Sequence, residues 1–175
     1  MTNKILVTYS TMTGATKGVS EAIGKTLSDL GEIVDVIPMH DVKDLTSYKA
    51  VIAGSAIQAS KWLPDATDFI RTYKNDLKQK PFAAFLVCMT LAMTKGDSYR
   101  DHVSSWLEPV RQQVTTISEG LFTGTLDIKK IPSFGDRLKF RISVLFGVWR
   151  EGDHRDWNAI QIWTKNLKSI LDKKK

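Results

Sequence analysis

Four hydroxyl side chains and one glycine lie close together near the start of the chain, at Ser10, Thr11, Thr13, Gly14 and Thr16. Hydroxyl groups and backbone N–H groups are neutral donors that bind an anion, and a glycine allows the backbone to turn tightly around it. No charged residue occurs in this stretch before Lys17. Neutral donors of this kind suit a phosphate group that is held in place and not chemically changed.

The elements on either side place this stretch where an anion is expected. The apolar run Lys4–Thr8 predicts a buried strand, and the spacing of apolar residues predicts a helix over Thr16–Leu30. The backbone N–H groups and the dipole at a helix start attract anions. One or two of the hydroxyls are expected to cap the helix instead, but capping does not account for all four. We therefore predict a phosphate-binding loop.

Strand and helix patterns alternate along the rest of the chain. Further strands are predicted at 33–38, 50–56, 81–88 and 121–126, and further helices at 65–73, 98–114 and 155–171, with Pro109 expected to kink or divide the second of these. This alternation predicts an α/β fold with three layers. We expect a five-stranded parallel sheet in the order 2-1-3-4-5, with helices on both faces. A single domain is expected over residues 1–175, with an insert at about 128–153 after the fifth strand.

Three other anion-binding patterns fit less well. The dinucleotide pattern GxGxxG requires more glycines than Gly14 after the first strand. Gly18 and Gly24 resemble the nucleoside-triphosphate pattern, but their spacing is one residue too long and they fall within the predicted helix. A response-regulator site requires acidic residues at the ends of strands one and three, where this sequence has Tyr9-Ser10 and Gly54-Ser55.

The segment TMTGAT, residues 11–16, has the form TxTGxT and resembles the FMN-phosphate loop of flavodoxins. The resemblance implies FMN as the cofactor and two further loops, after strands three and four, on either side of the isoalloxazine ring. Trp62 is the aromatic candidate to cover one ring face, and its alternative is packing against the following helix. The predicted cofactor-binding residues are Ser10, Thr11, Met12, Thr13, Gly14, Ala15, Thr16, Ala56, Ile57, Gln58, Ala59, Trp62, Thr90, Leu91 and Ala92.

Charge suggests which kind of flavoprotein this is. The chain has a net charge of +6, whereas flavodoxins that carry electrons are acidic as a family. Lys61 is the one charged residue in the first ring loop, Lys95 closes the second, and neither loop contains Asp or Glu. A cation beside the ring would favour the reduced anion, so these charges predict a flavin that accepts electrons from a substrate.

A second resemblance covers nearly the whole chain. The segments KILVTYSTMTG, YKAVIAGSAIQASKW and GDHRDWNAIQIWTKNL together resemble the flavodoxin-domain group that includes the menaquinone-dependent protoporphyrinogen dehydrogenases of haem biosynthesis. This resemblance implies an FMN-dependent oxidoreductase that oxidises a porphyrinogen and passes electrons to a quinone or redox-protein acceptor. The flavin would supply the chemistry, so no catalytic acid or base is predicted. The alternative is a flavodoxin-type electron carrier that docks on a redox partner and has no substrate of its own.

The insert combines apolar and basic residues. A capping pattern at Ser133 and Asp136 predicts a helix from about Gly135 to Trp149, apolar over much of its circumference. Two roles are open for residues 129–150: extra core or a homodimer contact, or a lid or peripheral contact with a membrane surface. Nucleic acid is not expected, because the basic residues alternate with apolar ones.

The remaining chemistry-bearing residues suggest no further site. Cys88 is expected to be a buried, inert thiol. Because it is the one cysteine, no internal disulfide can form, and this points to a cytoplasmic protein. If the insert contacts the membrane, the protein would be peripheral to the inner face of that membrane. The histidines lack metal-ligand spacing, and Asp156 at a helix entrance is expected to cap, so no metal is predicted.

Overall fold

The computed structural model describes residues 3–93, 95–131 and 133–173. Its strands are β1 Lys4–Ser10, β2 Ile33–Pro38, β3 Tyr48–Gln58, β4 Lys61–Trp62, β5 Phe82–Cys88, β6 Ser118–Thr123, β7 Thr125–Leu126 and β8 Gly152–Asp153. Its α-helices are α1 Ala15–Asp29, α2 Pro64–Thr72, α3 Lys74–Lys78, α4 Arg100–Ser105, α5 Glu108–Arg111, α6 Phe134–Leu145 and α7 Trp157–Lys173.

The five long strands form a parallel sheet in the order β2-β1-β3-β5-β6. The predicted α/β class and five-stranded parallel sheet are confirmed, and the order of the long strands along the chain is 2-1-3-4-5. The difference from the predicted sheet is β4, a two-residue strand that pairs antiparallel with the end of β3. A second small sheet joins β7 to β8 and ties the two ends of the insert together.

Helices cover both faces of the sheet. On one face, α1 and α7 pack against alternate strand residues such as Ile5, Val7 and Phe85. On the other face, α2 to α5 pack against the intervening strand residues, such as Leu6 and Phe82. Because both faces are buried, the strands are apolar throughout, which is the pattern that predicted them.

Close packing at the centre of the sheet depends on one glycine. A Cβ at Gly54 in β3 would lie 1.9 Å from Cζ of Phe85 in the next strand, β5. The Phe85 ring in turn meets Phe122 and Trp163, with ring centroids 5.9 Å and 6.2 Å away. The absent side chain at Gly54 therefore lets this aromatic cluster reach the sheet.

Three predicted elements need correction. The helix expected over 98–114 is divided, as one prediction for Pro109 had it, but into three parts: a 3-10 turn at Gly96–Tyr99, α4 and α5. Pro109 lies in the first turn of α5, where its missing N–H costs nothing. The fifth strand begins earlier than expected, at Ser118, and is interrupted at Gly124. In the insert, α6 ends at Leu145, four residues before the expected end.

The early end of α6 has a clear cause. Gly147 adopts φ +72°, and the N–H of Val148 donates to the carbonyl of Ser143 at 2.9 Å. This arrangement is a Schellman motif, which satisfies the last helical carbonyls and reverses the chain. The predicted start is confirmed, since the Ser133 side chain accepts a hydrogen bond from the N–H of Asp136.

Within the described ranges, no helix is both long enough and apolar enough to span a bilayer.

Candidate functional site

The carboxyl ends of four parallel strands meet at one edge of the sheet. The register pairs Ser10 of β1 with Ser55 of β3, Ala56 of β3 with Val87, and Cys88 of β5 with Thr123. The loops that follow these strands therefore emerge side by side. In sheets of this kind, ligands bind at this edge.

The loop after β1 forms the start of α1 in the way its sequence predicts. Gly14 adopts φ +92°, and its N–H donates to the hydroxyl of Thr11 at 3.1 Å. No side chain among the described residues caps α1, so the expectation that one or two hydroxyls cap this helix is wrong. The first N–H groups of a helix have no partner within the helix, so here they remain available to an anion.

Thr16 presents an unsatisfied hydroxyl to the same place. Its side chain is fully buried and its Oγ1 atom has no hydrogen-bond partner in the described part of the chain, yet the residue lines the cavity at this edge. A buried hydroxyl without a partner costs about 1–3 kcal/mol. A bound anion would supply the missing partner.

The segment after β3 is a hairpin and not an open loop. Ala59 and Ser60 adopt φ +48° and +61°, which turns the chain from β3 into β4 without a glycine. Ser55 fastens the hairpin, because its hydroxyl accepts a hydrogen bond from the N–H of Leu63 at 3.0 Å.

This hairpin changes the position of Trp62. The side chain is 7% exposed and packs in the core beneath α2 with Phe69, so it does not line the cavity. The candidate role of Trp62 as a ring cover is therefore corrected in favour of the packed alternative. Trp62 lies opposite Ile57 in the β3–β4 pair, and both side chains pack against the same core cluster.

The cavity at this sheet edge has a volume of about 450 Å³. Its lining residues are Thr11, Met12, Thr13, Ala15, Thr16, Ala56, Ile57, Gln58, Ala59, Val87, Cys88, Met89, Gly124, Thr125, Leu126, Asp127, Ile131, Asp136 and Phe140. The size and the largely apolar wall with a few polar groups are typical of a site for a small organic ligand.

Most of the predicted site residues meet in or beside this cavity. Gly14 lies in an adjoining groove, and Ala92 lines a smaller neighbouring cavity. Four predicted residues line none of these three cavities, namely Ser10, Trp62, Thr90 and Leu91. Ser10 is buried at the end of β1, and Thr90 and Leu91 lie in a half-buried 3-10 turn.

The residues predicted from the sequence do not include the part of the cavity wall that follows β6. Residues 124–127 continue directly from that strand, so the rule that placed the other loops could have placed this one. Phe140 and Asp136 lie one helical turn apart on α6. No local sequence pattern indicates that these two residues face the cavity. Phe140 is half-buried, with its ring centroid 6.2 Å from that of Trp149, and it is the aromatic side chain in this wall.

The charges at the site differ from those expected. Lys61 and Lys95 are exposed and neither lines the cavity, which is lined instead by two acidic residues, Asp127 and Asp136. Asp136 pairs with Lys139 at 3.5 Å. The expectation that nearby lysines favour a reduced anion is therefore wrong for these two residues.

Cys88 lies on the floor of the cavity and is 5% exposed. Burial raises the pKa of its thiol, so the group is protonated at neutral pH and is not a nucleophile. This confirms the interpretation of Cys88 as a small buried thiol.

Residues near the end of the insert line the groove that adjoins the cavity. The Asp153 carboxylate accepts two hydrogen bonds from the Arg155 guanidinium, at 2.8 Å and 2.6 Å, which lowers the pKa of Asp153. Arg155 also lies over the Trp157 ring, 4.3 Å from its centroid, and packs against Gly18 of α1. Asp156 accepts a hydrogen bond from the N–H of Ala159 and caps α7, as predicted.

Comparison with known proteins agrees with the fold described above. The family model described as a flavodoxin domain matches residues 6–147. Flavodoxin 2 from Bacillus cereus superposes with a TM-score of 0.60 and 20% identity, over 97% of this chain and 99% of that protein. A flavodoxin from the domain Archaea gives a TM-score of 0.54 and 20% identity, over 94% and 99% of the two chains.

A larger protein contains the same fold. Rubredoxin oxygen:oxidoreductase from Desulfovibrio gigas superposes with a TM-score of 0.53 and 16% identity, over 97% of this chain. The match spans 37% of that protein. At these identities the structural likenesses show a shared fold.

Proposed function

This chain belongs to the flavodoxin domain family, and from that membership we propose that it binds FMN and transfers electrons. The observation that carries the proposal is the buried Oγ1 of Thr16, which has no partner among the described residues, beside a start of α1 that none of their side chains caps. A bound anion would supply hydrogen-bond partners for both. The Thr11–Thr16 loop would hold the phosphate of FMN through neutral donors.

The rest of the cavity fits the other end of the cofactor. Its wall is largely apolar, and the end of β3 brings Ile57 and Gln58 to the same cavity as Phe140. A planar aromatic ligand would stack against Phe140, while the backbone of the hairpin would meet its polar edge. Phe140 thereby takes the role first considered for Trp62.

When bound, the flavin would supply the redox chemistry. The chain would hold and orient it and exclude water from its ring, and Asp127 and Asp136 would lower its reduction potential by disfavouring added negative charge. Lys130 and Lys139 pair with these carboxylates at 3.7 Å and 3.5 Å and weaken that effect.

We further propose that the substrate is a porphyrinogen and the acceptor a quinone. In each turnover the porphyrinogen would lose two hydrogen atoms and the quinone would gain two, becoming a quinol. A cavity of about 270 Å³ lies beside the main one and is lined by Ala92, Met93, Gly147, Val148, Arg150 and His154. Arg150 would pair there with a substrate carboxylate, and the apolar α6 suits a lipophilic acceptor.

Anaerobic turnover tests this proposal. The FMN-loaded protein is mixed with a porphyrinogen, and then with a soluble menaquinone analogue, while flavin absorbance is followed. The proposal predicts bleaching by the porphyrinogen and recovery with the quinone. Arg150→Gln should weaken the first step by raising KM, whereas Arg100→Gln, an exposed change in α4, should not.

Two results would separate this reaction from simple electron carriage. A protein that binds FMN, is reduced by dithionite and is inert to porphyrinogen and quinone is a flavodoxin-type carrier. A protein that does not bind FMN overturns the whole proposal.

A further inference from the structure

One face of α6 has no partner in the described structure. We propose that this face, with the residues just after the helix, binds the surface of an anionic lipid bilayer. The inference goes beyond electron transfer and does not depend on the flavin, because the apolar residues involved lie on the side of α6 away from the cavity.

The outer face of α6 exposes an unusual amount of apolar surface. Phe134 is 78% exposed and Leu145 is 82% exposed, and Phe146, directly after the helix, is 77% exposed. Leu138 and Ile142 add side chains that are 51% and 47% exposed. Positions 134, 138, 142 and 145 share one face of a helix, so these side chains form one patch. A contiguous apolar patch of large side chains marks an interaction surface.

The orientation of the helix is fixed by its other face. Asp136 and Phe140 line the cavity, and the Arg137 Nε donates to the carbonyl of Ile131 at 2.7 Å. No residue of α6 is buried. The helix therefore lies along the surface of the molecule with its apolar patch outward, in the position of a helix that lies flat in a membrane interface.

The charges around the patch identify the kind of surface it fits. Residues 129–150 contain six basic residues and one acidic residue, Asp136. Lys139 and Arg141 lie on the flanks of the apolar face and both are exposed. Long basic side chains at such positions extend to lipid headgroups while the apolar side chains enter the acyl boundary. Each such side chain strengthens binding to an anionic surface about fivefold.

A second copy of the chain fits less well. A two-fold dimer places the same patch of each subunit against the other, which would oppose two clusters of like charge. A protein partner would have to combine an apolar groove with an acidic rim. An anionic bilayer offers apolar depth and negative charge in one surface.

Vesicle cosedimentation tests the proposal on the whole protein. Wild type is compared on phosphatidylcholine vesicles and on phosphatidylcholine vesicles containing phosphatidylglycerol. We expect binding to the anionic vesicles that falls as salt is raised. Leu138→Ser with Leu145→Ser should weaken that binding by about tenfold or more. Ile33→Ser with Ile162→Ser, at side chains 57% and 49% exposed elsewhere, should leave it unchanged.

The charge requirement is tested separately. Lys139→Gln with Arg141→Gln should weaken binding to anionic vesicles by about 10- to 30-fold and leave any binding to neutral vesicles unchanged. The proposal is overturned if wild type does not bind anionic vesicles, or if both pairs of serine variants lose binding equally. It is also overturned if wild type is a dimer that Leu138→Ser with Leu145→Ser dissociates, without vesicle binding.

Discussion

Phe140 shows how a single side chain can shape a binding site from outside the sheet. It projects from α6 into the cavity, half-buried and in contact with Trp149, while its helical neighbour Phe134 points away and is 78% exposed. The two phenylalanines therefore offer a matched comparison on one helix, one on each face.

The comparison gives a residue-scale prediction for FMN affinity. Phe140→Ser should raise the Kd for FMN about tenfold, because the loss of an aromatic contact and its buried area is worth about 1.4 kcal/mol. Phe134→Ser should leave the Kd unchanged. Titration of FMN fluorescence measures both. Equal affinities of the two variants would remove Phe140 from the binding site.

At the scale of elements, Glu32 joins three parts of the fold. It lies between α1 and β2, its side chain is 7% exposed, and its carboxylate pairs with Lys49 of β3 and, at 3.2 Å, with Lys168 of α7. Burial acts to raise the pKa of Glu32, but the two lysines outweigh burial and hold that pKa below its ordinary value. The charged form of Glu32 is therefore stabilised by folding.

This arrangement predicts a loss of stability in acid. Because folding lowers the pKa of Glu32, its charge contributes fully to the stability of the fold above the pKa of the unfolded chain. That contribution is lost as the pH falls through the pKa of the folded protein. Glu32→Gln should lower the free energy of unfolding by about 1–3 kcal/mol at pH 7, and the difference from wild type should shrink in acid. Urea unfolding at several pH values measures it.

An exposed pair supplies the control. Glu21 lies 3.8 Å from Lys17 on α1, and the Glu21 side chain is 58% exposed. Glu21→Gln should change the free energy of unfolding by less than about 0.5 kcal/mol at any pH. A Glu32→Gln deficit that stays constant with pH would show that packing, and not charge, is responsible.

The sequence was most informative where local pattern and tertiary packing agree. Strands such as Phe82–Cys88 are buried on both faces, so an unbroken apolar run marks them directly. The loop around Gly14 follows from turn chemistry and its position between strand and helix. By contrast, the turn at Ala59 and Ser60 has positive φ angles without glycine, so no local signal marked the hairpin that buries Trp62. Phe140 reaches the cavity through the packing of the insert, which spacing alone does not specify.

On the scale of the whole molecule, the sheet brings distant segments to one edge. The cavity combines residues from the loop after β1, the end of β3, the end of β5, the segment after β6 and α6. Because a ligand that binds the folded chain stabilises it, FMN at about 100 times its Kd should add about 2.7 kcal/mol to the free energy of unfolding. Phosphate binding at α1 and stability of the fold are then linked quantities.

The most direct test of this account is FMN titration of Thr16→Val beside Thr8→Val. Both threonines are fully buried, with Oγ1 atoms that have no partner in the part of the chain that the structure describes, but Thr16 lines the cavity and Thr8 does not. Neither substitution should destabilise the protein, because each removes an unsatisfied hydroxyl at nearly constant volume. We predict that Thr16→Val raises the Kd for FMN about tenfold, the value of a hydrogen bond to a charged group, and that Thr8→Val leaves it unchanged. Equal FMN affinity for Thr16→Val and wild type, or no FMN binding by wild type, would contradict the account.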